Sequence, residues 1–224
     1  MTKKIIITKS LDKRRCNILH SLKIIKKNNK ALFNRLLELI PSWVLDMLEN
    51  TTINIDRLKE FEECNKKYID RIRDVRSTEQ VVFNYYICLI SELIAEAYIE
   101  QVGFCVKRNS IDKDISDNKH TLSTKADLSF LHNNEWHNIE VQFADFSYNN
   151  IKIKKYKADK NLEDNEDVKM MIISFNKEKQ AVEYITFKLK KYIKKALLIK
   201  NDVFMGGKDT YLIKLDNFKI KRIA

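Results

Sequence analysis

One proline and three glycines are all that 224 residues contain. That scarcity excludes a Pro- or Gly-rich linker and any low-complexity spacer. Gly206-Gly207-Lys208 is too short to be a phosphate-binding loop. Cysteine is equally sparse. Cys16, Cys64, Cys88 and Cys105 lie far apart with no paired spacing, which argues against a zinc site and against a disulfide framework. They are expected to be reduced, in a cytoplasmic protein. No unbroken apolar run reaches the roughly 20 residues that a membrane crossing needs. The start, MTKKIIITKSLDKRR, has too short an apolar segment for a secretory signal. No membrane partner is expected, and no internal repeat is visible.

Basic charge is what the chain has in excess. Lys and Arg number 42 against 31 Asp and Glu, for a net charge of +11. Basic side chains gain affinity for polyanions by releasing counterions from phosphates, so nucleic acid is the expected partner. A solubilising Lys-rich surface is the plainer alternative. The length fits one domain, read as a helical N-terminal part over 1–76 and a core over 77–224.

Leu19, Leu22, Ile25, Leu32, Leu36 and Ile40 recur at spacings of amphipathic helices. Pro41 ends one helix or opens the next, and Trp43, Leu45 and Leu48 form an apolar patch. After a break at Thr51 and Thr52, a charged segment from Arg57 to Arg76 reads as a solvated helix, with Arg71, Arg73 and Arg76 as alternative phosphate contacts. Ser77-Thr78-Glu79-Gln80 resembles a capping sequence. It predicts a long helix over Val81 to Glu100 with a stripe through Val82, Tyr86, Leu89, Leu93 and Tyr98. On it, Glu92 and Glu96 share a face, directed to water or toward a metal site.

Gly103 is a helix C-cap candidate, and Phe104 to Lys107 reads as a first strand. A polar loop over 109–123 follows. Ala126-Asp127-Leu128-Ser129-Phe130 and Ile139-Glu140-Val141-Gln142-Phe143 alternate in character as two strands. The turn-like His132-Asn133-Asn134-Glu135 joins them into a hairpin. Residues 144–160 form a loop and basic segment, partly helical, and the acidic run 162–167 is a surface connection. The apolar run Lys169 to Phe175 fits a central strand covered on both faces. Val182, Ile185, Leu189, Ile193 and Leu197 predict a helix over 178–200, and Tyr211, Ile213 and Leu215 a last strand. The expected fold is α/β: a mixed central sheet flanked by helices, closing with a parallel right-handed strand-helix-strand crossover.

Alternation puts Glu140 and Gln142 on one strand face, and the hairpin brings Asp127 beside Glu140. Phosphodiester hydrolysis needs hard oxygen ligands for Mg²⁺, a positioned water and a stabiliser for charge on phosphorus. Asp127, Glu140 and the Val141 carbonyl are the candidate metal ligands. Gln142 joins Asp127 and Glu140 as a candidate catalytic residue, standing where a lysine would supply positive charge. An amide cannot act as a base, so the metal carries more of the work. Asp145, Ser147, Tyr148, Asn149 and Asn150 are candidates for reading base edges. Lys152, Lys154, Lys155 and Lys157, with Tyr156 among them, are candidates for phosphate contacts. His132-Asn133-Asn134 and His137-Asn138 are turn residues rather than an HNH nuclease motif, because that motif's helix and second strand have no place here.

Asp127, with twelve residues before Glu140-Val141-Gln142, resembles the PD-(D/E)XK nucleases in their D…ExQ variant. Ile139 to Phe143, with Ser147-Tyr148 beyond, looks like the BglII- and BstYI-like type II restriction endonucleases. The likeness spans residues 81–175, and residues 126–150 carry it residue by residue. It implies a homodimer that cuts palindromic double-stranded DNA with Mg²⁺ and leaves 5′-phosphate ends. Ala126 stands where the family places a proline, a mild departure because the carboxylate binds the metal. A repair or mobile-element nuclease of the same superfamily, acting on branched or single-stranded DNA, is the second expectation. A non-catalytic DNA-binding protein is the third.

Overall fold

The computed structural model describes residues 1–71, 77–109, 126–164, 167–205 and 207–224, without the side chains of 65–71, 204 and 217. Arg73, Arg76, most of the polar loop over 109–123, and Gly206 lie outside the described residues, as does the side chain of Arg71. The chain divides into two compact units. One runs through Met1–Ala97, the other through Tyr98–Asn109 and Thr124–Ala224. The expected mixed α/β architecture is present.

In the first unit, strand β1 (Thr2–Lys4) precedes helices α1 (Lys9–Asn28), α2 (Lys30–Leu39) and α3 (Ser42–Asn50). Side chains set the helix starts. Thr8 accepts from the Leu11 N–H to cap α1, and Asn29 accepts from the Leu32 N–H to open α2. Pro41 opens α3, where its missing N–H costs no hydrogen bond. Strand β2 (Thr52–Asn54) pairs antiparallel with β1, and helix α4 (Ile55–Arg71) follows. The edge-to-face contact of Trp43 on Tyr86, 4.9 Å between centroids, joins α3 to helix α5 (Thr78–Gln101).

Helix α5 is apolar nearly all round, and it is long and apolar enough to cross a bilayer, yet most of it is buried inside the protein. Val82, Phe83, Ile87, Ile90, Leu93, Ile94 and Ala97 cover successive faces, which marks a core helix rather than one with a single stripe. Glu92 and Glu96 are buried with it instead of facing water.

The second unit is built on a six-stranded sheet. Its first three strands are β3 (Val106–Arg108), β4 (Leu128–His132) and β5 (Glu135–Phe143). Strand β6 (Asn150–Lys154) and helix α6 (Lys155–Asp164) leave the sheet, and β7 (Lys169–Asn176) and β8 (Ala181–Lys188) return to it. After a short helix α7 (Leu189–Ile193) come β9 (Leu197–Asp202), β10 (Lys208–Lys214) and β11 (Lys221–Arg222). The order is β11-β8-β7-β5-β4-β3, with β6-β10-β9 as a separate three-stranded sheet. Only the β5–β7 pair of the large sheet is parallel.

Residues 181–188 correct the helix expected over 178–200. The apolar positions there satisfy helical spacing, but Ala181, Val182, Glu183, Tyr184 and Ile185 are buried in succession, as in a central strand covered on both faces. Val, Tyr, Ile, Thr and Phe also fit a pleated surface better than a helix. Only α7 remains helical. The expected parallel crossover is likewise replaced by a β7–β8 hairpin, because residues 177–180 are too short for a parallel return. Gln180 takes φ of 45°, and Asn176 Oδ1 accepts from the Lys179 N–H to close the turn. The strand expected at Tyr211, Ile213 and Leu215 forms as β10 in the small sheet, and β11 follows it in the large one.

Strand β6 was hidden in the segment read as a basic loop. Ile151 and Ile153 are buried, while Lys152 and Lys154 alternate with them. These isoleucines join Met170, Ile172, Ile185, Ile213 and Leu215 in one apolar cluster, so the small sheet and α6 cover the face of the large sheet that bears Glu140.

Candidate active site

Two asparagines shape the hairpin that carries the acidic pair. Asn133 and Asn134 take φ of 52° and 63°, the left-handed pair that a two-residue type I′ turn demands and that asparagine tolerates. The turn fixes the β4–β5 register at His132↔Glu135 through Leu128↔Ile139. Extending that register by one step sets Asp127, just before β4, across from Glu140, which directs the two carboxyl groups to one face. Both are buried, Asp127 at 5% and Glu140 at 3% exposure.

Each acid has a definite partner. Asp127 Oδ2 accepts from the Val141 N–H at 2.8 Å. The N–H and C=O of a residue in an extended strand face the same neighbour, so the Val141 carbonyl also opens to the Asp127 side. Glu140 is held from α6. Lys157 Nζ forms an ion pair with Oε1, and Asn161 Nδ2 donates to Oε2 at 3.3 Å. Lys157 and Asn161 are one helical turn apart, so a single face of α6 supplies both.

Gln142 shares the strand face of Glu140, as expected from alternation, but its amide is engaged. Nε2 donates to the Lys152 carbonyl at 2.9 Å and ties β5 to β6. A cation does reach the acidic pair, and it comes from Lys157, which was read from the sequence as a phosphate contact. Asn161 was missed altogether. Its one visible signal is the four-residue spacing from Lys157 in a segment expected to be partly helical.

The predicted recognition segment is a tightly self-bonded turn. Asp145 Oδ1 accepts from the Ser147 N–H at 3.1 Å and from its hydroxyl at 2.6 Å. Asn149 takes φ of 51° and donates to Asp216 Oδ1 at 2.6 Å, and Asn150 donates to the Tyr148 carbonyl at 2.7 Å. Ser147, Tyr148 and Asn149 are the exposed members of the group. Among the lysines, Lys152 pairs with buried Asp202 at 2.8 Å, where Thr210 also donates. Lys155 pairs with Asp159, whose hydrogen bond holds the ammonium above its ordinary pKa. The Tyr211 hydroxyl donates to that same carboxylate at 3.1 Å; burial, followed by this bond, pushes its pKa up. Lys154 is partly buried on β6.

On the opposite face of the large sheet, a cavity of about 350 Å³ is lined by Tyr98, Phe104, Phe130, Tyr184 and Lys169. Burial, with Lys188 adding repulsion, lowers the Lys169 pKa. Ile139 and Met171 face this cavity, whereas Glu140 projects the other way.

Among the described residues no group of three or more His, Cys, Asp and Glu side chains is gathered for a metal ion. The donors present are two carboxylates and the Val141 carbonyl, all hard oxygens. That set suits Mg²⁺, which binds through one or two carboxylates and keeps several waters. Two buried acids side by side are also costly unless cations compensate them. No protein-family model and no curated protein matches the chain.

Proposed function

We propose that the chain is a Mg²⁺-dependent endonuclease acting on double-stranded DNA in the manner of the type II restriction endonucleases. The observation that carries this reading is the buried pair of Asp127, immediately before β4, and Glu140 on β5, with Asp127 anchored to β5 through the Val141 N–H. A net charge of +11 supports a phosphate-rich substrate.

In this reading Asp127, Glu140 and the Val141 carbonyl hold Mg²⁺, which supplies Lewis acidity and a more acidic bound water. Val141 orients Asp127 through its N–H. Asn161 fixes the Glu140 carboxylate, and Gln142 secures the strand behind it. A water oxygen bonds to phosphorus, the bond from phosphorus to the 3′-oxygen breaks, and that oxygen takes up a proton. The products are a 5′-phosphate and a 3′-hydroxyl. A homodimer reading a palindromic site, with one cut per strand, completes the proposal. Tyr148, Lys154 and the turn around Asn149 and Asn150 are the DNA contacts proposed beside it, in a cytoplasmic enzyme.

Incubation of the purified protein with plasmid DNA and Mg²⁺ tests this. Discrete fragments are expected from the wild type, and none from Asp127→Asn or Glu140→Gln, with DNA binding retained. Nicking confined to branched or single-stranded substrates would replace the restriction reading with a repair-type nuclease. Binding without any cleavage would leave a non-catalytic DNA-binding protein.

A further inference from the structure

We infer that Lys157 is a resident counter-ion, which occupies Glu140 until a divalent cation displaces it and then turns its charge toward the substrate phosphate. The inference rests on the metal-dependent nuclease reading and adds to it how the charge of Glu140 is balanced at rest. Glu140 is buried, and a buried carboxylate is stable only when paired and hydrogen-bonded. Lys157 meets that need at Oε1, while Asn161 serves Oε2.

The two partners differ in how readily they leave. The Lys157 side chain is 40% exposed against 4% for that of Glu140, so the ammonium reaches in from the solvent side. Its four-carbon stem lets it swing outward into water without unfolding α6. A metal ion at Oε1 would compete for its lone pairs and repel the ammonium, which loosens the hold of Lys157 on that oxygen. Asn161 is neutral and need not move. The displaced Lys157 would stay tethered to α6, within a side chain's length of the acidic pair, where a phosphate would attract it. This is the positive charge that Gln142 cannot provide.

Titration of the intact protein with Mn²⁺ and with Mg²⁺, followed calorimetrically without DNA, provides the test. Removing the competitor in Lys157→Met should tighten divalent binding by about tenfold while slowing cleavage by about 100-fold. Circular dichroism checks that the variant folds. Lys157→Arg moves the first readout the other way, because a guanidinium grips a carboxylate with two parallel hydrogen bonds and is harder to dislodge. Its divalent affinity should fall several-fold, which keeps the inference open to refutation even if the methionine variant does not fold. Unchanged metal affinity in both variants overturns the inference, and with wild-type cleavage intact it leaves the nuclease reading standing. Metal binding that is indifferent to Glu140→Gln, with no cleavage by the wild type, overturns the nuclease reading and the inference together.

Discussion

Replacing Asp127 with asparagine should inactivate the protein and stabilise it. Asp127 and Glu140 are opposite each other one step beyond the Leu128↔Ile139 pair. Directly opposed side chains have Cβ atoms about 5 Å apart. At that distance two negative charges repel by about 3 kcal/mol at an effective dielectric constant of about 20. Lys157 on Glu140 offsets part of this, leaving about 2 kcal/mol to be relieved. Asparagine keeps an oxygen to accept from the Val141 N–H, but that bond loses its charge, at a cost of about 1 kcal/mol. The expected net gain is about 1 kcal/mol. Urea denaturation in the presence of a chelator reads it as a higher midpoint at unchanged slope. Asp127→Ala is the contrast, because it leaves the Val141 N–H without that acceptor and should be less stable than Asp127→Asn by about 1–3 kcal/mol. Added Mg²⁺ should stabilise the wild type and narrow its gap to the asparagine variant. Equal destabilisation by asparagine and alanine would refute the reasoning, since it would mean that the charge itself holds the hairpin together.

Substitutions at three further positions probe the framework. Asn134→Val places a β-branched residue at φ of 63° and should destabilise the hairpin by about 1–2 kcal/mol, whereas Asn134→Gly should be tolerated; thermal melts of both variants decide. Lys152→Met should lower stability by about 2–4 kcal/mol because Asp202 is 4% exposed and loses its cation, so unfolding experiments should detect it even without DNA. The Glu79 carboxyl, hydrogen-bonded by Lys3, is lowered from 4.5 to about 2, so its stabilisation is full above pH 4.5 and is lost as pH falls toward 2. Glu79→Gln should therefore be less stable than the wild type near pH 6 and match it near pH 2, and a constant difference across that range would contradict the assignment.

Much of the acidic site was legible before any coordinates. Alternation placed Glu140 and Gln142 on one face, and the Asn133-Asn134 turn brought Asp127 across from Glu140, because a two-residue turn fixes a hairpin's register locally. The cation was not legible. Lys157 is one lysine among several in its segment, and only the packing of α6 over β5 selects it. The same limit hid Asn161. Nor could the sequence show that the side chains of Asp145, Asn149 and Asn150 bond within their own turn or to Asp216.

The helix expected over 178–200 failed for a related reason. Val182, Ile185, Leu189, Ile193 and Leu197 fit helical spacing, and the burial that overrides it comes from neighbours on both faces of β8, which are remote in sequence. By itself, then, the sequence determined what local chemistry can decide: the caps, the hairpin turn, the α/β class and the two opposed carboxylates. Tertiary structure alone decided what depends on distant partners. It set which strands pair in the centre of the sheet, which lysine neutralises Glu140, and that the amide of Gln142 serves a neighbouring strand rather than standing in for a charge.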